Sequence, residues 1–328
     1  LVSGMEIGQG YLTVMAQIAA EVLAVPVAKI RVETPDTDRN AYEWQTVGSH
    51  VTWGCGNAVK QAAEAAREQI FETIHRVHGL DPNDLYLEDE KVLCRTDPKF
   101  ALPFRDFVIQ GIQTADGSFK GGPVLSSGMF MPEFTSARSD PETSQGGHPN
   151  VHYTVGAAAV EVEVDRETGK MDVRRAVLAV DAGKAINPDL VNGQVVGGMV
   201  QGLATVLYED MRFDPSGRLL NPNFTDYKIP TALDIPGEIV PIIVETPQPD
   251  GPFGARGVGE HTMIPAAPMV ANAVEDAVGV RLTSMPVTAE KVALALHDAA
   301  SRAPREVGSA PAKCAVGVPG PKETPFPE

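Results

Sequence analysis

Hydrophobic and polar positions change period several times along this chain, and each change predicts an element. Over residues 14–25, Val14, Met15, Ile18, Ala19, Val22 and Leu23 recur at helical spacing until Pro26 stops the run. Residues 57–77 read as a longer amphipathic helix with Ala58, Val59, Ala62, Ala63, Ala66, Ile70 and Ile74 on one side. Between these helices, 29–33 reads as a strand and 36–40 as a loop, and 80–105 reads as short strands and turns. Val160, Val162 and Val164 alternate with Glu161 and Glu163, 165–170 turns, and 173–180 returns, which predicts a hairpin. Glu161, Glu163, Asp165 and Glu167 would form its exposed face. Residues 190–206 read as a buried helix despite Gln194 and Gln201, and 239–245 as a strand. An apolar run at 269–278 reads as a helix stopped by Gly279, and Thr288 caps a last helix reaching about Ala300.

The periodicity fails in two places. Residues 111–150 are rich in Gly, Ser and Pro and read as a long functional loop or an interface arm. After 301 the same small residues predict an extended tail. With the change of texture near 151, the expected organisation is α+β, in two mixed α/β subdomains. They are 1–150, with a glycine loop and the arm, and 151–300, followed by the tail 301–328.

Composition narrows the function by exclusion. The 328 residues carry a net charge of −16, so no basic stripe is available to neutralise nucleic-acid phosphates. No uninterrupted apolar stretch approaches the ~20 residues of a spanning helix, and no membrane span is expected. The chain starts Leu1-Val2-Ser3 with no targeting segment; a cytoplasmic location is expected, with the periplasm left open. The three cysteines, Cys55, Cys94 and Cys314, contain no CxxC pair, against a disulfide framework or structural zinc. Three are also too few for an all-thiolate iron–sulfur cluster, so any cluster would lie on another polypeptide. Cys55, beside Gly54 and Gly56, reads as a small packed residue.

Candidate chemistry sits in glycine loops that precede helices, an arrangement that brings backbone N–H groups to an anion. Gly254-Ala255-Arg256-Gly257-Val258-Gly259-Glu260 ends in a carboxylate placed to act as a general base, although alone it also reads as a surface turn. Phe253, Val258, Met263 and Ile264 would surround that carboxylate with apolar groups. Gly4-Met5-Glu6-Ile7-Gly8-Gln9-Gly10 opens the first helix in the same way. A third segment, Asp181 to Pro188, leads to Gly193-Gln194 and to Gly198-Met199-Val200-Gln201-Gly202.

These segments, with Tyr227-Lys228-Ile229-Pro230-Thr231, Asp234-Ile235-Pro236 and 282–291, occur in the order of a known family. From Gly4 to about Leu296 the chain resembles the molybdopterin-binding large subunit of the xanthine dehydrogenase/aldehyde oxidase family, the molybdenum hydroxylases. The resemblance implies the second molybdopterin-binding domain of that fold and molybdenum held by a pterin dithiolene, with no direct side-chain ligation. It implies hydroxylation of an electrophilic carbon, in an aldehyde or an N-heteroaromatic C–H, with Glu260 as catalytic base.

Cofactor contacts are implied for Gly8, Gln9 and Gly10, for Thr46, Ser49 and Thr52, for Gln201, and for Arg256, Gly257, Val258 and Gly259. Val47 and Gly48 would leave room for the substrate, and Gly54, Gly56 and Asn57 would open a helix where an anion rests. The sequence departs from the family at His50, where Arg is common in bacterial relatives, and at Arg256, where Lys is common. The expected cofactor is the cytosine dinucleotide form, with a companion molybdopterin-binding chain, a [2Fe–2S] chain and an FAD chain as partners. A companion is expected because the family's Gly-Gly-Phe-Gly-Gly-type loop and Arg-containing substrate loop do not occur here, as in a split subunit or a fragment.

Other readings remain beside this one: a pterin-binding scaffold without turnover, or a member acting on aromatic thioesters or carbon monoxide. An unrelated dinucleotide-binding oxidoreductase is disfavoured by the lack of a strand–GxGxxG–helix unit. The histidines suggest no ligand set: His75 and His78 read as solvated helix-end residues, and His148 and His152 flank the boundary near 151.

Overall fold

The computed structural model describes residues 1–33, 35–43, 46–107, 112–114, 116–131, 140–143, 145–146 and 153–301. His148, His152, Cys314, the tail beyond 301 and much of 132–152 lie outside the described residues. The fold is α+β, with five helices and three small sheets among those residues.

Helix α1, Tyr11–Leu23, begins three residues before the apolar run, because Glu6 folds back onto its first turn. Tyr11, Met15, Ile18 and Val22 form its buried stripe, against Val51 and Cys55 of helix α2. That second helix, Val51–His78, starts six residues earlier than periodicity predicts. Its first turns are rich in Gly and hydroxyl residues, which carry no amphipathic signal. Gly54, Gly56 and Asn57 therefore lie inside α2 and do not open it. A side chain at Gly56 would meet Pro252 and Ile18, and Asn57 Nδ2 donates to Asp250 O at 2.7 Å.

The predicted strand at 29–33 is absent. Val27–Lys29 forms a single 3-10 turn and the chain beyond it has no sheet partner to pair with. The far end of α2 packs on an antiparallel sheet of β1 (Leu85–Glu88), β2 (Lys91–Cys94) and β3 (Ala101–Pro103). A two-stranded ribbon, β4 (Ile112–Gln113) and β5 (Phe119–Lys120), follows. His75 Nδ1 lies 2.8 Å from Leu80 O and His78 stacks edge-on against Phe100, so both close the C-terminal end of α2.

The described part of the Gly/Pro-rich arm lies along α2 of this chain. Residues 121–131 run extended with alternate positions against α2. Ser126 Oγ donates to Ala62 O at 2.7 Å, Gln69 Nε2 to Leu125 O at 3.0 Å, and Trp53 meets Phe130 edge-on. Gly128 lies so close to the Ala58 and Ala62 backbone that a Cβ would not fit. Leu125, Met129 and Met131 point outward.

The third sheet carries the remaining core. Strands β6 (Gly156–Val164) and β7 (Met171–Asp181) form the predicted hairpin, and β8 (Glu238–Val244) pairs with β7 in parallel. Alternation along β7 buries Ala176, Leu178 and Val180 against α3 (Pro188–Leu207), α4 (Ala266–Val278) and α5 (Ala289–Ser301). Asn187 caps α3 by accepting Leu190 N–H, Gly279 closes α4 in the left-handed region, and the Thr288 hydroxyl accepts Lys291 N–H at the start of α5.

Helix α3 buries only one face, through Val195, Met199, Leu203 and Val206; Gln194 is half-buried and Gln201 exposed. By length and mean hydropathy, 1.3, it also meets the composition of a membrane-crossing helix. Counting uninterrupted apolar residues misses this, because Asn192, Gln194 and Gln201 break the run.

Because β7 and β8 are parallel, the loops leaving their C-terminal ends emerge side by side, where ligands bind in α/β sheets. Gly183 and Ala255 form a bridge between those loops, reinforced by Lys184 N–H to Gly254 O (2.8 Å) and Arg256 N–H to Ala182 O (2.9 Å). The 254–260 loop is thus fixed to the sheet before it reaches its glutamate.

Candidate functional site

A cavity of about 520 Å³ opens where four stretches of chain converge: 7–14, 46–52, 182–201 and 256–263. That is an ordinary size for a ligand pocket. Gln9, Thr46, Val47, Ser49, Thr52, Gln201, Arg256, Gly257, Val258, Gly259 and Glu260 all contribute to its wall. The sequence reading proposed these residues from separate motifs, and the fold brings them together. Gly8, Gly10 and Gly48 do not line it. They have φ values of 106°, 86° and 66°, so they shape the loops behind the wall.

Two of those loops interlock closely. A Cβ at Gly257 would sit 1.4 Å from Ser49 O, and one at Gly259 would meet Ser49 Oγ at 2.9 Å. Glycine is required there by contact rather than by φ. Ser49 itself has φ 56°. Its Oγ accepts Glu260 N–H at 2.8 Å and lies 3.3 Å from Glu260 Oε2, to which its proton points.

The apolar shell expected around Glu260 is only half present. Val258 and Met263 line the cavity, but Ile264 is 70% exposed and Phe253 lies beneath Lys60 of α2. Glu260 is exposed in this chain.

The first glycine loop behaves differently from the expectation of an open anion cradle. The Glu6 carboxylate accepts N–H groups of Gly8 (2.9 Å), Gly10 (3.0 Å) and Leu12 (3.0 Å). Partial burial pushes its pKa up, but these backbone donors outweigh it and hold the carboxyl below the usual glutamate range. Gln9 Oε1 accepts Ile7 N–H and its Nε2 donates to Met5 O, so each end of this amide already has one partner within its own loop. Thr46 is also engaged: its hydroxyl donates to Met5 O at 2.7 Å and accepts Met5 N–H at 3.0 Å.

Around Arg256 the charges are arranged to hold position. Asp181 Oδ1 accepts Gly183 N–H and Thr246 N–H, both at 3.0 Å, and Oδ2 lies 3.5 Å from Arg256 Nη1. Burial raises the Asp181 pKa, yet the two backbone donors and the guanidinium bring it below the ordinary aspartate value. Arg256 Nη1 also donates to Tyr153 O at 3.2 Å, while its buried Nε has no hydrogen-bond partner. That buried donor, on a residue of the cavity wall, is what an anionic ligand would satisfy.

Several wall residues have no assigned role in the sequence reading. Lys184 Nζ pairs with Glu245 Oε1 at 3.0 Å, Asn187 caps α3, and Thr262, fully buried, donates from Oγ1 to Gly259 O at 2.6 Å. Lys184 and Asn187 stand within the Asp181–Pro188 motif, so their signal was available. Thr262 carried none, being one hydroxyl after a conspicuous glutamate. Cys55 lies behind the wall: burial, with the Glu43 charge adding to it, pushes its thiol up to about 12, consistent with an inert packed residue. Among the described residues, no three His, Cys, Asp or Glu side chains are grouped to hold a metal ion.

Comparisons with known proteins identify the family. A family model described as a molybdopterin cofactor-binding domain matches residues 1–236. The nicotine 6-hydroxylase large subunit of Paenarthrobacter nicotinovorans is 33% identical over 87% of this chain and 34% of its own length. The carbon monoxide dehydrogenase large chain of Hydrogenophaga pseudoflava is 32% identical over 87% of this chain and 34% of its own. The solved structure of quinoline 2-oxidoreductase from Pseudomonas putida 86 superimposes with a TM-score of 0.75 at 27% identity, over 89% of this chain and 36% of that one. The chain therefore belongs to the molybdopterin-binding subunits of the molybdenum hydroxylase family. It spans about a third of the length of the curated relatives it matches.

Proposed function

We propose that this chain supplies one side of a molybdenum hydroxylase active site, with Glu260 as the general base. The observation that carries this reading is the cavity, which gathers Glu260, Arg256, Ser49 and Gln201 from distant parts of the sequence. The unpartnered Arg256 Nε makes the wall fit an anionic cofactor, and the close-packed Gly257 and Gly259 bring the loop backbone to the same wall.

When bound, the molybdenum cofactor supplies the two-electron oxidation of the substrate carbon. This chain's residues do the rest by placement and proton transfer. Ser49 engages Glu260 Oε2, which leaves Oε1 to take the proton released as water-derived oxygen is inserted. Arg256 and Gln201 would hold the pterin dinucleotide, with Thr52 at the start of α2, while Val47, on the cavity wall, would leave space for a planar aldehyde or N-heteroaromatic substrate.

In the same reading the nucleotide is cytosine, and a companion molybdopterin-binding chain covers the open side of Glu260. A [2Fe–2S] chain and an FAD chain would be the electron acceptors in the complete enzyme. The chain itself divides into 1–150, 151–300 and a tail.

The test is Glu260→Gln in the assembled enzyme. Molybdenum content is expected to stay intact while turnover falls by about 10²–10⁴-fold, the range of a lost general base. Near-native kcat at full metal loading would refute the role. Acid release should give CMP; molybdenum without any nucleotide would refute the dinucleotide assignment.

A further inference from the structure

Among the described residues, Ser49 alone bonds both the backbone and the carboxylate of Glu260, from 211 positions away in sequence. We propose that Ser49 is a positioning residue: its hydroxyl fixes the direction of the Glu260 carboxylate and keeps Oε1 facing the cavity. The proposal rests on the reading of Glu260 as the base, and it gives the hydroxyl a duty other than binding cofactor.

Three observations support it. Glu260 begins a short 3-10 turn whose preceding residue, Gly259, has no side chain to cap it, so the turn's first N–H needs an acceptor from elsewhere. Ser49 Oγ is that acceptor at 2.8 Å. Accepting this N–H leaves the hydroxyl proton free, and Glu260 Oε2 lies 3.3 Å away to receive it.

Secondly, Ser49 adopts a left-handed φ of 56°, a conformation unfavourable for a residue with a Cβ. Its neighbour Gly48 bears no such penalty, so the backbone at 49 would accept glycine as readily as serine. Thirdly, Gly257 and Gly259 of the other loop pack directly against Ser49: a Cβ at 257 would strike Ser49 O and one at 259 would meet Ser49 Oγ, so the two loops are held in close contact at this residue. The two cationic side chains of the cavity wall face carboxylates other than Glu260: Arg256 Nη1 lies 3.5 Å from Asp181 and Lys184 Nζ 3.0 Å from Glu245.

The experiment compares Ser49→Gly, Ser49→Ala, Glu260→Gln and the double variant Ser49→Gly/Glu260→Gln in the assembled enzyme. Glycine suits the left-handed backbone, so that variant is expected to fold and load metal. Positioning predicts kcat lowered about 10- to 100-fold in both single Ser49 variants with KM unchanged, since misplacing a reacting group costs rate rather than binding. It also predicts that amides 260–262 exchange about 5- to 10-fold faster, as one net hydrogen bond is lost. In the Glu260→Gln background, Ser49→Gly should lower kcat no further.

Full kcat in Ser49→Gly, or an additive loss in the double variant, would overturn the proposal. A changed KM with unchanged kcat would do so too, returning Ser49 to cofactor or substrate binding. Amide exchange is read without turnover. A Glu260→Gln enzyme that stayed active would sink the base assignment yet leave the Ser49–Glu260 link measurable.

Discussion

The loop at 4–10 and the loop at 254–260 both place glycines before a helix and both carry a glutamate, yet the glutamates face opposite ways. Glu6 turns inward and spends its carboxylate on Gly8, Gly10 and Leu12 N–H groups. Glu260 turns outward to the cavity, its own N–H taken by Ser49 from another part of the chain. The difference lies in where the carboxylate stands relative to the free donors. A glutamate two residues before the first open N–H folds back and fills the anion site itself. One placed after the last glycine leaves the loop and is free for chemistry. A glycine-rich loop is therefore an anion site only when no neighbouring carboxylate has already claimed it.

The strongest way to break this comparison is Gly257→Ala. With Ser49 O 1.4 Å from the added carbon, the two loops must separate, and the assembled enzyme is expected to lose both molybdenum and nucleotide. Gly8→Ala meets nothing within 4 Å and pays only for its backbone φ, so cofactor content should survive. Equal loss in both variants would mean that the two loops serve the cofactor alike.

A smaller effect is expected for Glu6→Gln, about 1 kcal/mol of helix-cap stability, read as faster amide exchange in the first turn of α1. Because the folded Glu6 carboxyl titrates below its ordinary value, its stabilisation is present above about pH 5 and fades as pH falls through the lowered value. Wild type and Glu6→Gln should thus converge on acidification. A gap that widened toward acid would contradict the sign.

Much of this was legible in the sequence, for identifiable reasons. The 160–180 hairpin, the Gly279 stop of α4 and the Thr288 cap each depend on local signals and stand as read, while α4 itself starts at Ala266, three residues before the apolar run. The start of α2 was hidden because Val51, Thr52, Gly54 and Gly56 form no amphipathic stripe; that turn is helical through contacts with α1 and Pro252. The role of Glu6 was hidden because a capping carboxylate and a catalytic one look alike beside glycines. Within the 111–150 segment, read as a long functional loop or an interface arm, the stretch 121–131 runs extended. It rests on α2 through backbone acceptors, which no side-chain pattern announces.

The glycines of α3 have a consequence for how this protein tolerates change. Gly198 and Gly202 stand one turn apart, and a Cβ on either would strike Thr262 or Met263 of the loop that follows Glu260. Gly193, on the same helix, would meet nothing within 4 Å. Each glycine costs a helix interior about 1 kcal/mol relative to alanine. Drift or engineering can recover that at 193, where Gly193→Ala should slow α3 amide exchange. At 198 and 202 the same exchange would press on the turn that carries Glu260. Substitution tolerance along this helix should therefore split by position rather than by residue type, and saturation mutagenesis of α3 would display the division directly.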